Sequence, residues 1–260
     1  MGDTLINSPT GHVWQGTITL ALVWVLGCAP LTRSVSPEEP SERLAAIIAR
    51  LHHPNKTVRR DAAFQLKRML PAAGANAEKV VPELLAMLRE VRPDYYRFRG
   101  AAEALYTLKV SRAVVPLLRA LNDEDGDIAN LSANMLRLFV VDGIARQDTA
   151  NSLMTILASS DANPYARYIA AELLGHFRGP RIQRALVQAL SETNEAIRLY
   201  AVLSLGDLNP KDANVVAKIQ EIADRDVCGA VRQAASRTMS KIRGKSGDDR
   251  PVGDRPSPAE

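Results

Sequence analysis

Residues 194–206 read Asn194-Glu195-Ala196-Ile197-Arg198-Leu199-Tyr200-Ala201-Val202-Leu203-Ser204-Leu205-Gly206. An Asn at the start of such a run can accept a hydrogen bond from a free N–H of a helix's first turn. Ile197, Ala201 and Leu205 recur every fourth residue, which puts them on one stripe of a 3.6-period helix, and the small residue between two large ones lets that stripe approach a neighbour closely. Outward from this stretch the same pattern returns: an Asn or Asp, an apolar residue three later, a small residue at seven, and Leu or Met at eleven. Six copies begin near Asn55, Asp94, Asp125, Asn163, Asn194 and Asp226. Their apolar slots hold Val58, Arg97, Ile128, Ala166, Ile197 and Val231, spaced 31 to 39 residues apart. The small slots hold Ala62, Ala101, Ser132, Ala170, Ala201 and Ala235, and the closing slots Leu66, Leu105, Leu136, Leu174, Leu205 and Met239. A period of this length is the signature of a stacked repeat.

Each copy reads as the second helix of a hairpin. Asn163-Pro164 is a cap followed by proline at the first helical position, where the missing N–H costs nothing. Upstream of each cap a first helix ends on Leu51, Leu88, Leu121, Leu157, Leu190 or Ile222, so the two helices are joined by a tight turn. The expected fold is all-α: an α-solenoid of about six stacked antiparallel helix pairs over residues 41–242. Composition agrees. Apolar residues make up 46% and charged residues 24% of 260, while aromatics are 5%, too few for a mainly β protein.

The second-helix pattern resembles the HEAT-repeat superfamily, in particular its short HEAT-like (phycobilin lyase-type) repeats with Val-Arg-x-x-Ala-x-x-x-Leu-Gly. The match is best at Val58-Arg59 to Ala62, Ala166-Arg167 to Gly175, Ile197-Arg198 to Gly206 and Val231-Arg232 to Ala235. Pro82 and Pro116 inside first helices are similar to the prolines that kink that helix in the family. The second and third copies depart from the pattern, with Phe98 and Ala129 in the Arg slot and Arg97 in the apolar slot. The resemblance implies that second helices line a concave side where protein partners bind. On helical geometry that side carries Arg60, Phe64 and Lys67 in the first copy, Tyr96, Arg99, Glu103 and Tyr106 in the second, and Arg137 in the third. The fourth and fifth add Tyr165, Tyr168, Glu172, Leu199 and Leu203. Partner binding is therefore expected through Tyr96, Arg99, Tyr106, Tyr165, Tyr168, Leu199 and Leu203, since Tyr and Arg are enriched in binding hot spots. Packing between adjacent units is an equal reading of the same tyrosines. The Arg row Arg59, Arg167, Arg198 and Arg232 reads better as a structural ladder to turn residues than as an anion stripe.

Ahead of the repeats, residues 17–27 form an apolar run of signal-peptide length ending in Val25-Leu26-Gly27-Cys28. These four residues resemble the lipobox of bacterial lipoproteins, in which the cysteine is acylated and becomes the mature terminus. The implied organisation is a signal peptide at 1–27, a lipidated Cys28 and flexible tether at 28–40, the solenoid at 41–242, and a disordered tail at 243–260. The family's sorting rule, with Ala29 after the cysteine, implies the outer membrane in a host that has one. No Lys or Arg precedes Arg33, which departs from the usual basic start of a signal. Cys228 could pair with Cys28 only if the latter were not acylated.

No catalytic constellation is expected. His12, His52, His53 and His176 offer no metal-ligand spacing, no iron-binding His-Glu dyad of the HEAT-repeat hydroxylases is present, and Gly-rich phosphate loops and a Gly-x-Ser-x-Gly elbow are missing. Neither a cofactor nor a small-molecule substrate is expected. The net charge of +4, with 28 bases against 22 acids over residues 41–242, is too mild to argue for nucleic acid. The reading is a protein-binding scaffold of the bacterial envelope. Its rivals are a phycobilin lyase-like enzyme and a nucleic-acid-binding solenoid of the alkylation-repair kind, and an export signal opposes both.

Overall fold

The computed structural model describes residues 40–248. The expected signal peptide, Cys28 and the expected tether as far as residue 39 lie outside the described residues, as do residues 249–260 of the expected tail. Every regular element among the described residues is helical. The first unit pairs α1 (Pro40–Leu51) with α2 (Lys56–Met69). The second has a broken first helix, α3 (Asn76–Lys79) and α4 (Val81–Met87), followed by α5 (Tyr95–Thr107). Then come α6 (Val114–Ala120) with α7 (Gly126–Val141), α8 (Gln147–Ala158) with α9 (Pro164–Leu174), α10 (Pro180–Ala189) with α11 (Glu195–Leu208), and α12 (Ala213–Arg225) with α13 (Gly229–Asp248). The breaks fall where proline dictates. Pro82 and Pro116 stand in the first turns of α4 and α6, where a residue without N–H loses no helical bond, and the chain just before each is a separate short helix or a 3₁₀ turn at Ser111–Ala113.

Second helices stack in sequence, α2 on α5, α5 on α7, α7 on α9, α9 on α11 and α11 on α13. The expected stripe makes these contacts. All six small slots and the five Leu closing slots are fully buried, with Met239 nearly so. The approach is close enough to need glycine after the closing leucine. A Cβ on Gly175 would stand 2.9 Å from Ser204 Oγ, and one on Gly206 would stand 2.8 Å from Thr238 Cγ2. The two glycines of the Leu-Gly pattern are thus contact residues between units four, five and six.

Five of the six expected caps hold. Asn55 accepts from Thr57 N, Asp94 from Tyr96 N and Arg97 N, Asp125 from Asp127 N, Asn163 from Ala166 N, and Asn194 from Ala196 N and Ile197 N. Asp226 does something else. Val231 lies five rather than three residues beyond it, so α13 starts two residues later, and the Asp226 carboxylate instead takes Cys228 N at 2.8 Å and the Arg198 guanidinium at 2.7 and 2.9 Å. Residues 243–248 also depart from expectation, since α13 runs on to Asp248. Glycines at 244 and 247 cost about 1 kcal/mol each but do not stop a helix, and the first proline downstream is Pro251.

The Arg row is a ladder of turns. Arg59 donates to the His53 and Pro54 carbonyls of its own turn and to both oxygens of Asp94 in the next unit. Arg198 repeats this on the Glu192 and Thr193 carbonyls and on Asp226. Arg167 bridges the Leu157 carbonyl and Glu192, and Arg232, in the last unit, donates to its own turn at Asp226 O and Val227 O. In the second unit the two slots exchange roles. Phe98 fills the core completely, and Arg97 turns to Glu90 of its own turn, leaving its Nε buried without a partner. In the third unit Ala129 offers no guanidinium, and Asn122 Oδ1 takes Asn163 N at 3.0 Å while Asn163 Nδ2 donates to the Leu121 carbonyl at 3.3 Å.

Candidate partner-binding face

The solvent side of the second helices holds two polar-aromatic clusters at different places along the stack. The central one crosses units three to five. Asn163 and Pro164 fix the start of α9 and so place Tyr165 two residues and Tyr168 five residues past the cap. Tyr165 donates from its hydroxyl to Asn130 Oδ1 of α7 at 2.6 Å, and its ring meets that of Tyr168 edge-on at 5.1 Å and 72°. Tyr168 lies flat on Tyr200 of α11, with centroids 5.1 Å apart and planes 11° apart. Beside the stack Arg137 of α7 clasps Glu172 of α9 through two bonds of 2.7 Å and donates a third to Asn134 at 2.9 Å.

All three rings are half-buried, so each shows part of a face to solvent. Burial pushes the Tyr165 and Tyr168 hydroxyls above the usual phenol range, with neighbouring tyrosines and Glu172 adding to it, so both stay neutral donors at physiological pH. The hydrogen bonds to Glu172 raise Arg137 further. The patch therefore offers aromatic surface, hydroxyls and one neutralised ion pair.

The other cluster lies between α2 and α5. Here Arg60, Phe64 and Arg68 of α2 face Tyr96, Arg99 and Glu103 of α5 across an open groove of about 440 Å³. Phe64 is 63% exposed. Lys56 sits 5.6 Å above the Tyr96 ring, and Arg68 5.8 Å above the Phe64 ring, both within cation–π range. Glu103 receives Arg99 at 2.9 Å and Lys67 at 3.4 Å.

The seven expected contact residues thus fall into separate places. Tyr96 and Arg99 line the groove, and Tyr165 and Tyr168 form the stack. Tyr106 joins neither: its ring packs edge-on against Phe139 at 5.6 Å and its hydroxyl donates to Asp142, so it clips α5 to α7. Leu199 is half-buried against the core and Leu203 is 41% exposed one turn further along α11. Tyr200 is not among the expected residues, because it stands six past its cap, one step off the positions that helical geometry puts on the face. Its flat stacking comes from the neighbouring unit, which a single helix's periodicity does not report. Among the described residues no group of three His, Cys, Asp or Glu is placed to hold a metal ion, and no helix is long and apolar enough to cross a membrane.

A stack of helix pairs that touch only their neighbours, with one row of helices presented to solvent, is an α-solenoid, a helical-repeat protein. Residues 150–247 match the family model for HEAT repeats. Among solved structures, a chain of the Kap95p complex with RanGDP is similar at a TM-score of 0.54 and 17% identity, over 80% of this chain and 29% of that one. At that identity the likeness is one of fold. An engineered protein is similar at a TM-score of 0.46 and 17% identity over 78% of this chain and 97% of its own. A chain of the CpcE–CpcF phycocyanin lyase complex from Nostoc sp. PCC7120 is similar at 0.47 and 22% identity over 62% of this chain and 98% of its own. No curated protein matches the sequence.

Proposed function

We propose that the protein is a protein-binding scaffold, docking its partner on the solvent side of the second helices, and that it is exported and held at a bacterial membrane through an acylated Cys28. The observation that carries the binding role is the Tyr165–Tyr168–Tyr200 stack. Three rings from two adjacent units are locked against one another while still half-exposed, and rigid aromatic anchors bind with little ordering cost. Contact area and neutral hydroxyls suit recognition and require no reaction chemistry, so the reading assigns no catalysis, cofactor or small-molecule substrate. The envelope location rests on the apolar run before Val25-Leu26-Gly27-Cys28.

Two experiments test these halves. A pull-down from envelope extract with wild type and the Tyr165→Ala, Tyr168→Ala double variant, both shown to keep their helical signal, should lose its partner in the variant. Tyr168→Ala alone is expected to cost at least about 1 kcal/mol of affinity. Equal capture by both proteins would reject the tyrosine face. For the anchor, fractionation of wild type and Cys28→Ser with mass spectrometry of the mature terminus should find an acylated Cys28 in the membrane fraction. A membrane-bound protein that still begins at Met1 would reject it.

A further inference from the structure

The groove between α2 and α5 has a chemistry that the tyrosine stack lacks. Five cations, Lys56, Arg60, Lys67, Arg68 and Arg99, stand on or beside it against two acids, Asp61 and Glu103. Glu103 is shared by Lys67 and Arg99, and Asp61 reaches only Arg60, at 3.4 Å on the surface. Among the described residues no carboxylate lies within salt-bridge distance of Lys56 or Arg68, which rest on aromatic rings instead. Between those charges Phe64 leaves most of its ring in water, the largest exposed side chain among the described apolar residues. A wet phenyl ring beside uncompensated cations is costly in the free protein and becomes favourable against a partner with the complementary pair of features.

We infer that this groove is a docking site for an acidic peptide segment, one that sets an aromatic or large apolar side chain between carboxylates. The apolar side chain covers Phe64 and the edge of Tyr96, and the flanking carboxylates take Arg60 and Arg68, whose forked guanidinium groups match carboxylate geometry. At about 440 Å³ the groove is of a size to hold such an anchor. A nucleic acid fits less well, because a phosphate backbone needs its cations in a continuing track. The positive track is interrupted beyond α5: α7 presents Asp127 and ends at Asp142, its Arg137 is taken by Glu172, and α11 carries Glu195 and Asp207, so the cations of α13 do not continue the groove. The inference rests on the second-helix face being a protein-binding surface, but it concerns a different place on that face from the tyrosine stack.

The test uses the full chain and a fluorescein-labelled peptide of alternating Glu and Asp around one central Trp, with a Gln/Asn version as control, read by fluorescence anisotropy. The acidic peptide should bind, the control should not, and affinity should fall about tenfold between about 50 and about 300 mM NaCl as charges are screened. Arg60→Glu with Arg68→Glu should weaken binding at least about tenfold and Phe64→Ala about threefold or more, both at exposed positions that leave the fold intact. Tyr165→Ala with Tyr168→Ala should leave peptide affinity unchanged. Equal binding of the two peptides, no binding at about 1 mM (a Kd in the range of the weakest encounters), or indifference to the charge reversal overturns the site. Vesicles with anionic phosphatidylglycerol that bind wild type and not the reversed variant, where the peptide does not bind, would give the groove to lipid headgroups and overturn it too. If the peptide fails while the pull-down still depends on the tyrosines, the groove alone is wrong. If the peptide binds and the tyrosine variants lose no partner, the tyrosine stack is wrong and the groove stands.

Discussion

The junction of α11 with α13 and the junction of α7 with α9 hold the same kind of helix in the same register by different means. At the first, Arg198 reaches past its own turn carbonyls to Asp226, and the pair is almost wholly enclosed, with side chains 8% and 3% exposed. At the second, Ala129 leaves that place empty of charge; an amide pair, Asn122 and Asn163, joins the turns, and Arg137 with Glu172 joins the exposed face. The contrast extends along the chain. Units four to six pair charge at the turn edge through Arg167–Glu192 and Arg198–Asp226 and on the solvent side through Lys241–Asp207. Units one to three add Lys67–Glu103 and Tyr106–Asp142 on the solvent side, and Arg137–Glu172 ties unit three to unit four there. Stacking thus requires satisfied turn carbonyls and a fixed register, and does not require one particular arginine. The part with the regular ladder is also the part that matches the HEAT-repeat family model, at residues 150–247.

The largest effect should come from breaking the enclosed pair. Asp226→Ala strands the Arg198 guanidinium in a site with little water, and loss of one partner of a buried pair costs about 3 to 5 kcal/mol. Asp226 also fixes the pH behaviour. Hydrogen bonds from Arg198, opposed by burial and helped by Cys228 N, hold its carboxyl below the usual range. A depressed carboxylate contributes stability that is fully present above its unfolded value near about 3.9 and is lost as pH falls through the folded value. Urea unfolding at neutral pH should show the large loss, and the acid-side decline of stability should be shallower in the variant than in wild type. A loss below about 1 kcal/mol would mean that the pair is better hydrated than its enclosure implies.

Ala201→Phe probes the other component of the regular half, close apolar approach. Ala201 is fully buried on α11, between α9 and α13, so a phenyl ring must push at least one neighbour away, at a cost of about 1 to 3 kcal/mol. An unchanged unfolding midpoint would show that this stripe does not face its neighbours.

The stripe is the feature that was most legible in the sequence, because buried periodicity and capping are properties of one helix. The six small slots, the closing leucines and five caps followed from it directly. The exceptions share a cause. Asp226 stands where an Asx cap should, yet its fate is set by Arg198, 28 residues earlier. Arg97 and Phe98 exchanged roles because both positions border the core, and the choice depends on what the adjoining helices leave open. Asp212, which caps α12 by accepting from Asn214 N, lay in a first helix whose start has no repeated signature. On the face, one helix's period groups Tyr165 with Tyr168 and Tyr96 with Arg99, but it leaves out Tyr200 and gives no partner across units. Tyr200 under Tyr168, Asp142 with Tyr106, and the gathering of Arg60, Phe64 and Arg68 opposite Tyr96 depend on the offset between neighbouring helices.

A middle-sized effect is expected where the irregular half still uses an arginine. Asp94→Ala removes both the Arg59 contact, whose side chains are 16% and 30% exposed, and the cap of α5. Burial raises the Asp94 carboxyl, but hydrogen bonds from Arg59, Arg97 N and Tyr96 N lower it more, so the charged form is the one that the site holds. Water can reach this pair after the change. The loss should be about 1 to 2 kcal/mol, most of it from the cap, and restoring the cap alone with Asp94→Ser should recover the larger share. Thermal unfolding of the two variants beside Asp226→Ala separates the contributions.

The smallest effect belongs to the junction without an arginine. Asn122 is exposed and makes one bond across it, from Asn163 N to its Oδ1 at 3.0 Å. Asn122→Ala leaves that N–H near solvent, so water replaces most of what is lost, and the net cost should be about 0.5 to 1 kcal/mol. The other bond, from Asn163 Nδ2 to the Leu121 carbonyl, survives, as does the Arg137–Glu172 clasp at the far side of the same helices. Because the two contacts sit at opposite edges of the α7–α9 junction, Asn122→Ala and Glu172→Gln should add in a double variant to within a few tenths of a kcal/mol. Strong coupling between them would show that the amide pair and the ion pair act as one unit, and the distinction between a junction whose turn edge is an enclosed ion pair and one whose turn edge is an exposed amide contact would then collapse.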